Sequence, residues 1–276
     1  MDNPLSDTPL GRRTAWVDEY TPSLLSPVAR WDTREALELA DPDKLPFHGM
    51  DVWNAYELSW LGARGIPRVA MAEIRVPCTS RNLVESKSLK LYLNSLANTR
   101  FESPRQVQET IETDVGECVG GAVDVHLMTL SEASRLPLWE PTGICLDILE
   151  PEVQLSGHDP ELLATEQGAE RTETLYSHLL RSRCPVTGQP DWATLLVRYS
   201  GTPIQHAGLL RYIVAMRNHE ALHEQLVEQI FCDIKAQCAP RHLSVQGRFT
   251  RRGGVDINPF RSDFEDVPPN HRVVRQ

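Results

Sequence analysis

The sequence is poor in several features that assign a chain quickly. Only 7% of its residues are aromatic, and its formal charge is −10 at pH 7. An acidic balance of that size argues against gripping a phosphate backbone by bulk electrostatics, so the reading is no direct nucleic acid and a small-molecule substrate. No apolar run approaches the roughly 20 residues that span a bilayer, so no membrane partner is expected. The six cysteines, at positions 78, 118, 145, 184, 232 and 238, form no CxxC pair and no regular framework. The opening Met-Asp-Asn-Pro-Leu-Ser lacks the basic and apolar regions of a secretory signal. Together these absences imply a cytoplasmic protein whose thiols stay free. No GxGxxG or phosphate-loop string follows a strand, so any dinucleotide must bind outside a Rossmann framework.

What is present is an ordinary globular composition, with 41% hydrophobic and 24% charged residues in a chain of 276. That length buries a substantial core in one large or two modest domains. Residues 1–46, rich in Pro, Asp and Arg, read as an irregular extension. Asp51 to Leu61 and Arg68 to Cys78 read as a hairpin across the turn Gly62-Ala63-Arg64-Gly65-Ile66-Pro67. Leu89, Leu93 and Leu96 mark a helix from Glu85 to Leu96, and Ser103-Pro104 opens a second, striped by Val107, Ile111 and Val115 and stopped at Gly120-Gly121. Ala122 to Leu130 alternates as a strand, with Val123, Val125 and Leu127 inward and Met128 outward. A further strand is expected near Gly143 to Val153.

The second half repeats this order. Thr172 to Ser182 and Trp192 to Ser200 form a hairpin around Pro185, Gly188 and Pro190. Leu209 to Arg217 and Leu222 to Ile234 mark helices, Leu243 to Thr250 a strand, and Val267 to Arg275 a closing strand. Two copies of strand-strand-helix-helix-strand-strand make an α+β fold, an antiparallel sheet with paired helices, with units at residues 47–155 and 156–276.

The segment Arg181-Ser-Arg-Cys-Pro-Val-Thr-Gly-Gln-Pro-Asp-Trp192 holds the most chemistry. Its hairpin brings Cys184 and Asp191 to one end of adjacent strands, where a thiol can attack an electrophilic carbon and a protonated carboxyl can donate. The plainer reading is a small buried cysteine beside a turn aspartate. Glu85-Ser86-Lys87-Ser88 is either an anion site at a helix start or an ordinary capping segment. His219-Glu220-Ala221-Leu222-His223 matches HExxH, which on a helix would hold zinc, although the helix phase turns His223 inward and not Glu220. Arg251-Arg252-Gly253-Gly254 offers guanidiniums and bare backbone to a phosphate, or is a solvated charge pair before a turn.

Four of these segments together resemble one family. Glu85-Ser-Lys-Ser-Leu-Lys-Leu-Tyr92, Cys184-Pro-Val-Thr-Gly-Gln-Pro-Asp-Trp192, Leu222-His-Glu-Gln225 and Arg251-Arg-Gly-Gly254 are similar to the signatures of NADPH-dependent 7-cyano-7-deazaguanine reductases, the nitrile reductases of queuosine biosynthesis. Pro46-Phe-His-Gly49 and Tyr56-Glu-Leu-Ser-Trp60 add to the resemblance, which runs from about Pro46 to Gln276 and suits the long form with two tandem tunnelling-fold units. It implies Cys184 as the nucleophile that forms a thioimide and Asp191 as the proton donor. It further implies Val84, Glu85, Ser86, His223 and Glu224 around the free deazaguanine base, and Ser86, Lys87, Arg252 and Gly253 on NADPH. No metal is implied, and a homodimer is the expected assembly. One departure is Leu222, where the resemblance implies an aromatic ring.

Overall fold

The computed structural model describes residues 17–39, 41, 44–155 and 157–276, so the first part of the extension lies outside the described residues. The fold is α+β, built on antiparallel sheet. Its described residues divide into two compact units, the first made of 17–39, 41, 51–137 and 251–257, the second of 44–50, 138–155, 157–250 and 258–276.

In the first unit the extension is not wholly irregular. It carries a short strand β1 (Pro27–Ala29) and a helix α1 (Arg30–Glu35) whose buried residues are Arg30 and Arg34. Arg30 pairs with Asp51 at 2.6 Å and Arg34 donates to the Cys78 carbonyl, so polar bonds and not an apolar stripe fix this helix, and periodicity gives no sign of it. Next come the long strands β2 (His48–Gly62) and β3 (Pro67–Pro77), then β4 (Asn82–Val84), which pairs with β1. Helix α2 (Ser86–Ser95) follows, then β5 (Arg100–Phe101), α3 (Pro104–Val119), β6 (Asp124–Met128) and α4 (Leu130–Ala133).

The ends of α3 follow the residues. Ser103 caps its start through the Gln106 amide, Pro104 sits where no amide is needed, and Gly120 adopts the left-handed conformation that closes it. Leu89, Leu93, Leu96, Val107, Ile111 and Val115 bury against β2 and β3 residues such as Trp53, Ala72 and Ile74. Each such side chain contributes about 1.5–3 kcal/mol through area removed from water. In β6 the alternation fails at its end: Met128 is buried and Leu127 half-buried, because Met128 pairs with Met71 at the edge of the core.

The second unit begins with β7, which is only Ile144–Cys145, and a 3-10 turn follows at Leu146–Ile148. The long strand expected from Gly143 to Val153 is therefore absent, since Pro151 and the turn remove its ladder. Strands β8 (Arg171–Arg183) and β9 (Pro190–Gly201), helices α5 (His206–Ala215) and α6 (His223–Cys238), and strands β10 (His242–Phe249) and β11 (Val255–Ser262) complete the order. The closing strand is β11 and not Val267–Arg275, which carries no strand. β11 is polar at Asp256, Asn258 and Arg261 yet wholly buried, because each polar group has a partner: Asn54 and Tyr56 for Asp256, Gln276 for Asn258, Glu228 for Arg261.

The β8–β9 ladder has one irregularity that matters for the site. Ser177 pairs with Leu195, but Leu180 pairs with Ala193, so β8 carries one extra residue. Asp147 accepts from the Ser177 hydroxyl and the His178 amide and holds this bulge in place. Beyond it the buried residues of β8 change from Leu175 and Ser177 to Leu180 and Ser182.

Candidate functional site

The site residues fall into two groups, one in each unit. In the second unit, Cys184 follows the last residue of β8. Its amide donates to the Gln189 carbonyl at 2.9 Å, and its own carbonyl accepts from the Gly188 amide at 2.9 Å. Gly188 takes a left-handed φ of 65°, as a loop this tight requires. Asp191 pairs with Ser182 across the strands, two residues from the cysteine. Cys184 and Asp191 are each 5% exposed.

A third strand of contact ties in His223. The Arg183 amide donates to the His219 carbonyl and its carbonyl accepts from the Ala221 amide, which fastens the end of β8 to the segment entering α6. His223, the first residue of α6, places Nε2 3.4 Å from the Asp191 carboxylate. That distance falls within ion-pair range, yet Nε2 is buried without a well-formed hydrogen bond. We take the pair as poised and not bonded, since a hydrogen bond needs both distance and direction. Glu224, next along, is buried. Leu222 caps α6 by backbone alone, and the aromatic neighbour of His223 is Phe249, with ring centroids 4.0 Å apart. Phe249 was not legible as a site residue, because its contact with His223 joins segments 26 positions apart that only the fold aligns.

The HExxH string does not form its helical pair. His219 ends a 3-10 turn in extended conformation and α6 starts only at His223, so the two rings are not one helical turn apart. His219 faces His158 at 5.4 Å, and His158 bonds Asp233. Burial first, then His158, push its pKa below the usual imidazole value. Among the other thiols, burial pushes Cys118 and Cys238 up to about 11, which leaves them poor nucleophiles at neutral pH.

In the first unit, Val84 ends β4 and Glu85 caps α2. Its carboxylate accepts from the amides of Lys87 at 2.7 Å and Ser88 at 2.8 Å, and Ser86 and Lys87 form the first turn. The capping reading of Glu85 thus holds. The Ser86 hydroxyl also donates to it at 3.4 Å, so of the roughly four acceptor sites of a carboxylate one remains for another donor. The Arg251–Gly254 loop reaches the same helix. Gly253 and Gly254 take φ of 59° and 75°, and a Cβ on Gly253 would lie 3.2 Å from the Lys90 stem. Arg251 stacks on Tyr56 at 4.5 Å. Lys90, one turn beyond Lys87, lines a small cleft with Glu57, Asn94, Gly253 and Gly254. Its spacing of three from Lys87 is a signal that sequence reading had available and passed over. Two lysines, Arg252 and bare glycine backbone suit a phosphorylated dinucleotide.

A buried thiol and a buried carboxyl thus lie at the mouth of a β-hairpin on an α+β scaffold. The family described as "Nitrile reductase, 7-cyano-7-deazaguanine-reductase N-term" matches residues 16–127, and "QueF-like protein" matches residues 190–267. The NADPH-dependent 7-cyano-7-deazaguanine reductase of Desulfotalea psychrophila is 50% identical over 97% of this chain and 97% of its own. Those of Aromatoleum aromaticum (52%, covering 95% and 92%) and Burkholderia pseudomallei (49%, covering 98% of each) are similarly close. The chain belongs to this family of oxidoreductases, the NADPH-dependent 7-cyano-7-deazaguanine reductases. No helix among the described residues is long and apolar enough to cross a membrane.

Proposed function

We propose that the chain, as two tandem tunnelling-fold units, reduces the nitrile of free 7-cyano-7-deazaguanine to the aminomethyl group in the queuosine pathway. The observation that carries this is the closed hairpin holding Cys184 next to the Asp191–Ser182 pair, in a chain about half identical to proteins named for that reaction. Val84, Glu85, Ser86, His223 and Glu224 recognise the base, with the remaining acceptor site of Glu85 taking a ring N–H donor. Ser86, Lys87, Arg252 and Gly253 would hold NADPH, two molecules of which, bound in turn, would supply one hydride each.

The residues of the chain divide the chemistry as follows. The Cys184 sulfur bonds to the nitrile carbon while one C–N π bond opens, and Asp191 gives its proton to the nitrogen, producing a thioimide. Hydride on the carbon makes a tetrahedral adduct, whose C–S bond then breaks, returning the electron pair to Cys184 and leaving an imine. A second hydride to carbon and a second proton to nitrogen complete the amine.

Mass spectrometry of the protein mixed with the nitrile and no NADPH tests the reading. A covalent mass gain on Cys184, absent in Cys184→Ala together with turnover, is the expected result. Adduct that persists in Cys184→Ala removes the cysteine from this role. Sedimentation of the full chain tests the expected homodimer.

A further inference from the structure

On the other face of the same hairpin lies a cluster that the proposed reaction does not use. Arg181 is the cross-strand partner of Trp192, so both project from the face opposite Ser182 and Asp191. Three guanidiniums surround the Trp192 ring: Arg217 at 5.1 Å from its centroid, Arg181 at 5.3 Å and Arg275 at 5.9 Å. Arg183 stands two residues further along the same face of β8. Backbone carbonyls hold two of them in place, since Arg181 donates to the Arg217 carbonyl at 3.1 Å and Arg275 to the His178 carbonyl at 2.6 Å.

Among the described residues, none of the four forms an ion pair with a carboxylate, although the chain as a whole is acidic. The Arg181 Nε is fully covered and has no hydrogen-bond partner. Burial and then the charges of Arg217 and Arg183 lower its proton affinity, and no acid offsets them. Like charges gathered around one ring cost free energy, and a buried donor without an acceptor costs more. An anion with several acceptor oxygens relieves the repulsion. A planar guanidinium fork matches phosphate.

We propose that Arg181, Arg183, Arg217 and Arg275 form a phosphate-recognition site around Trp192. The phosphate is either free inorganic phosphate or a phosphate group of the reductant; only the second source rests on the function proposed above. Thermal unfolding of the full chain with millimolar inorganic phosphate, against chloride at equal ionic strength, tests the site. Phosphate should raise the wild-type midpoint, because a ligand that binds only the folded state stabilises it. The shift should vanish in Arg181→Gln and Arg217→Gln and survive in Arg105→Gln, an exposed arginine on α3. Should Arg181→Gln fail to fold, Arg275→Gln, at an exposed position, carries the same test. A KM for NADPH raised roughly tenfold in Arg217→Gln, with kcat unchanged, makes the dinucleotide the source. An unchanged KM with the phosphate shift lost makes it inorganic phosphate. No phosphate shift in wild type, or one retained by every variant, overturns the site. The nitrile adduct on Cys184 separates the two readings: its absence in wild type removes the catalytic reading and leaves the phosphate shift to decide this one.

Discussion

Each unit has a long leading hairpin, and the two hairpins end differently. In the first, β2 and β3 close through Gly62–Ile66, with Gly65 in the left-handed region, and the flanking Ile66 and Val69 are 57% and 58% exposed. In the second, β8 and β9 close through a longer loop whose neck holds a covered thiol, carboxyl and hydroxyl. Both turns are well formed, so turn geometry alone does not set the two necks apart. The difference lies in burial of polar side chains at the neck, where a low local dielectric raises the stakes of every proton.

That contrast can be broken by moving the chemistry. Ala63→Cys placed in a Cys184→Ala background puts a thiol in the exposed first turn; we expect no nitrile adduct by mass spectrometry and no return of turnover. Asp191→Asn keeps the shape of the neck and removes its acid, so turnover should fall roughly 10²–10⁴-fold, the usual worth of a general acid, with the unfolding midpoint little changed. Glu85 sharpens the contrast from the first unit. Glu85→Ser retains a helix-capping oxygen and should unfold within about 1 kcal/mol of wild type in urea, while KM for the base rises because ring donors lose their acceptor. Loss of stability without a KM change would make Glu85 a cap alone.

The smallest effect concerns pH. His219 is held below the ordinary imidazole value of 6.5 by burial and by His158. Between its folded pKa and 6.5 the unfolded chain therefore binds more protons, so stability falls as pH drops through that window. In urea melts at pH 7 and pH 5, His219→Gln should lose less stability on acidification than wild type does.

Much of the scaffold was legible because local chemistry and tertiary packing agree. Ser103, Pro104 and Gly120 bound α3 as their types dictate, and the leucine spacing of α2 matches its buried face. Where they diverge, sequence reading failed. β11 hides its identity behind Asp256, Asn258, Pro259 and Arg261, whose burial depends on partners far away in the chain. The apolar residues of Val267–Arg275 suggested a strand, yet that segment instead delivers Gln276 to Arg248 and Asn258. Among the candidate residues, Cys184 and Asp191 stand out through their hairpin punctuation, whereas Phe249 meets His223 only through packing in the second unit and Lys90 meets Gly253 only through packing in the first. The arginines around Trp192 are spread over nearly a hundred positions and only folding gathers them.

The extra residue between Ser177 and Leu180 acts as a parity switch for everything downstream in β8. Removing one residue there would rotate Ser182 outward and bring Arg181 and Arg183 to the side now occupied by Asp191, exchanging an acid's surroundings for a cation's. Evolution can therefore lengthen or shorten this strand only in steps of two without trading one surface's chemistry for the other's.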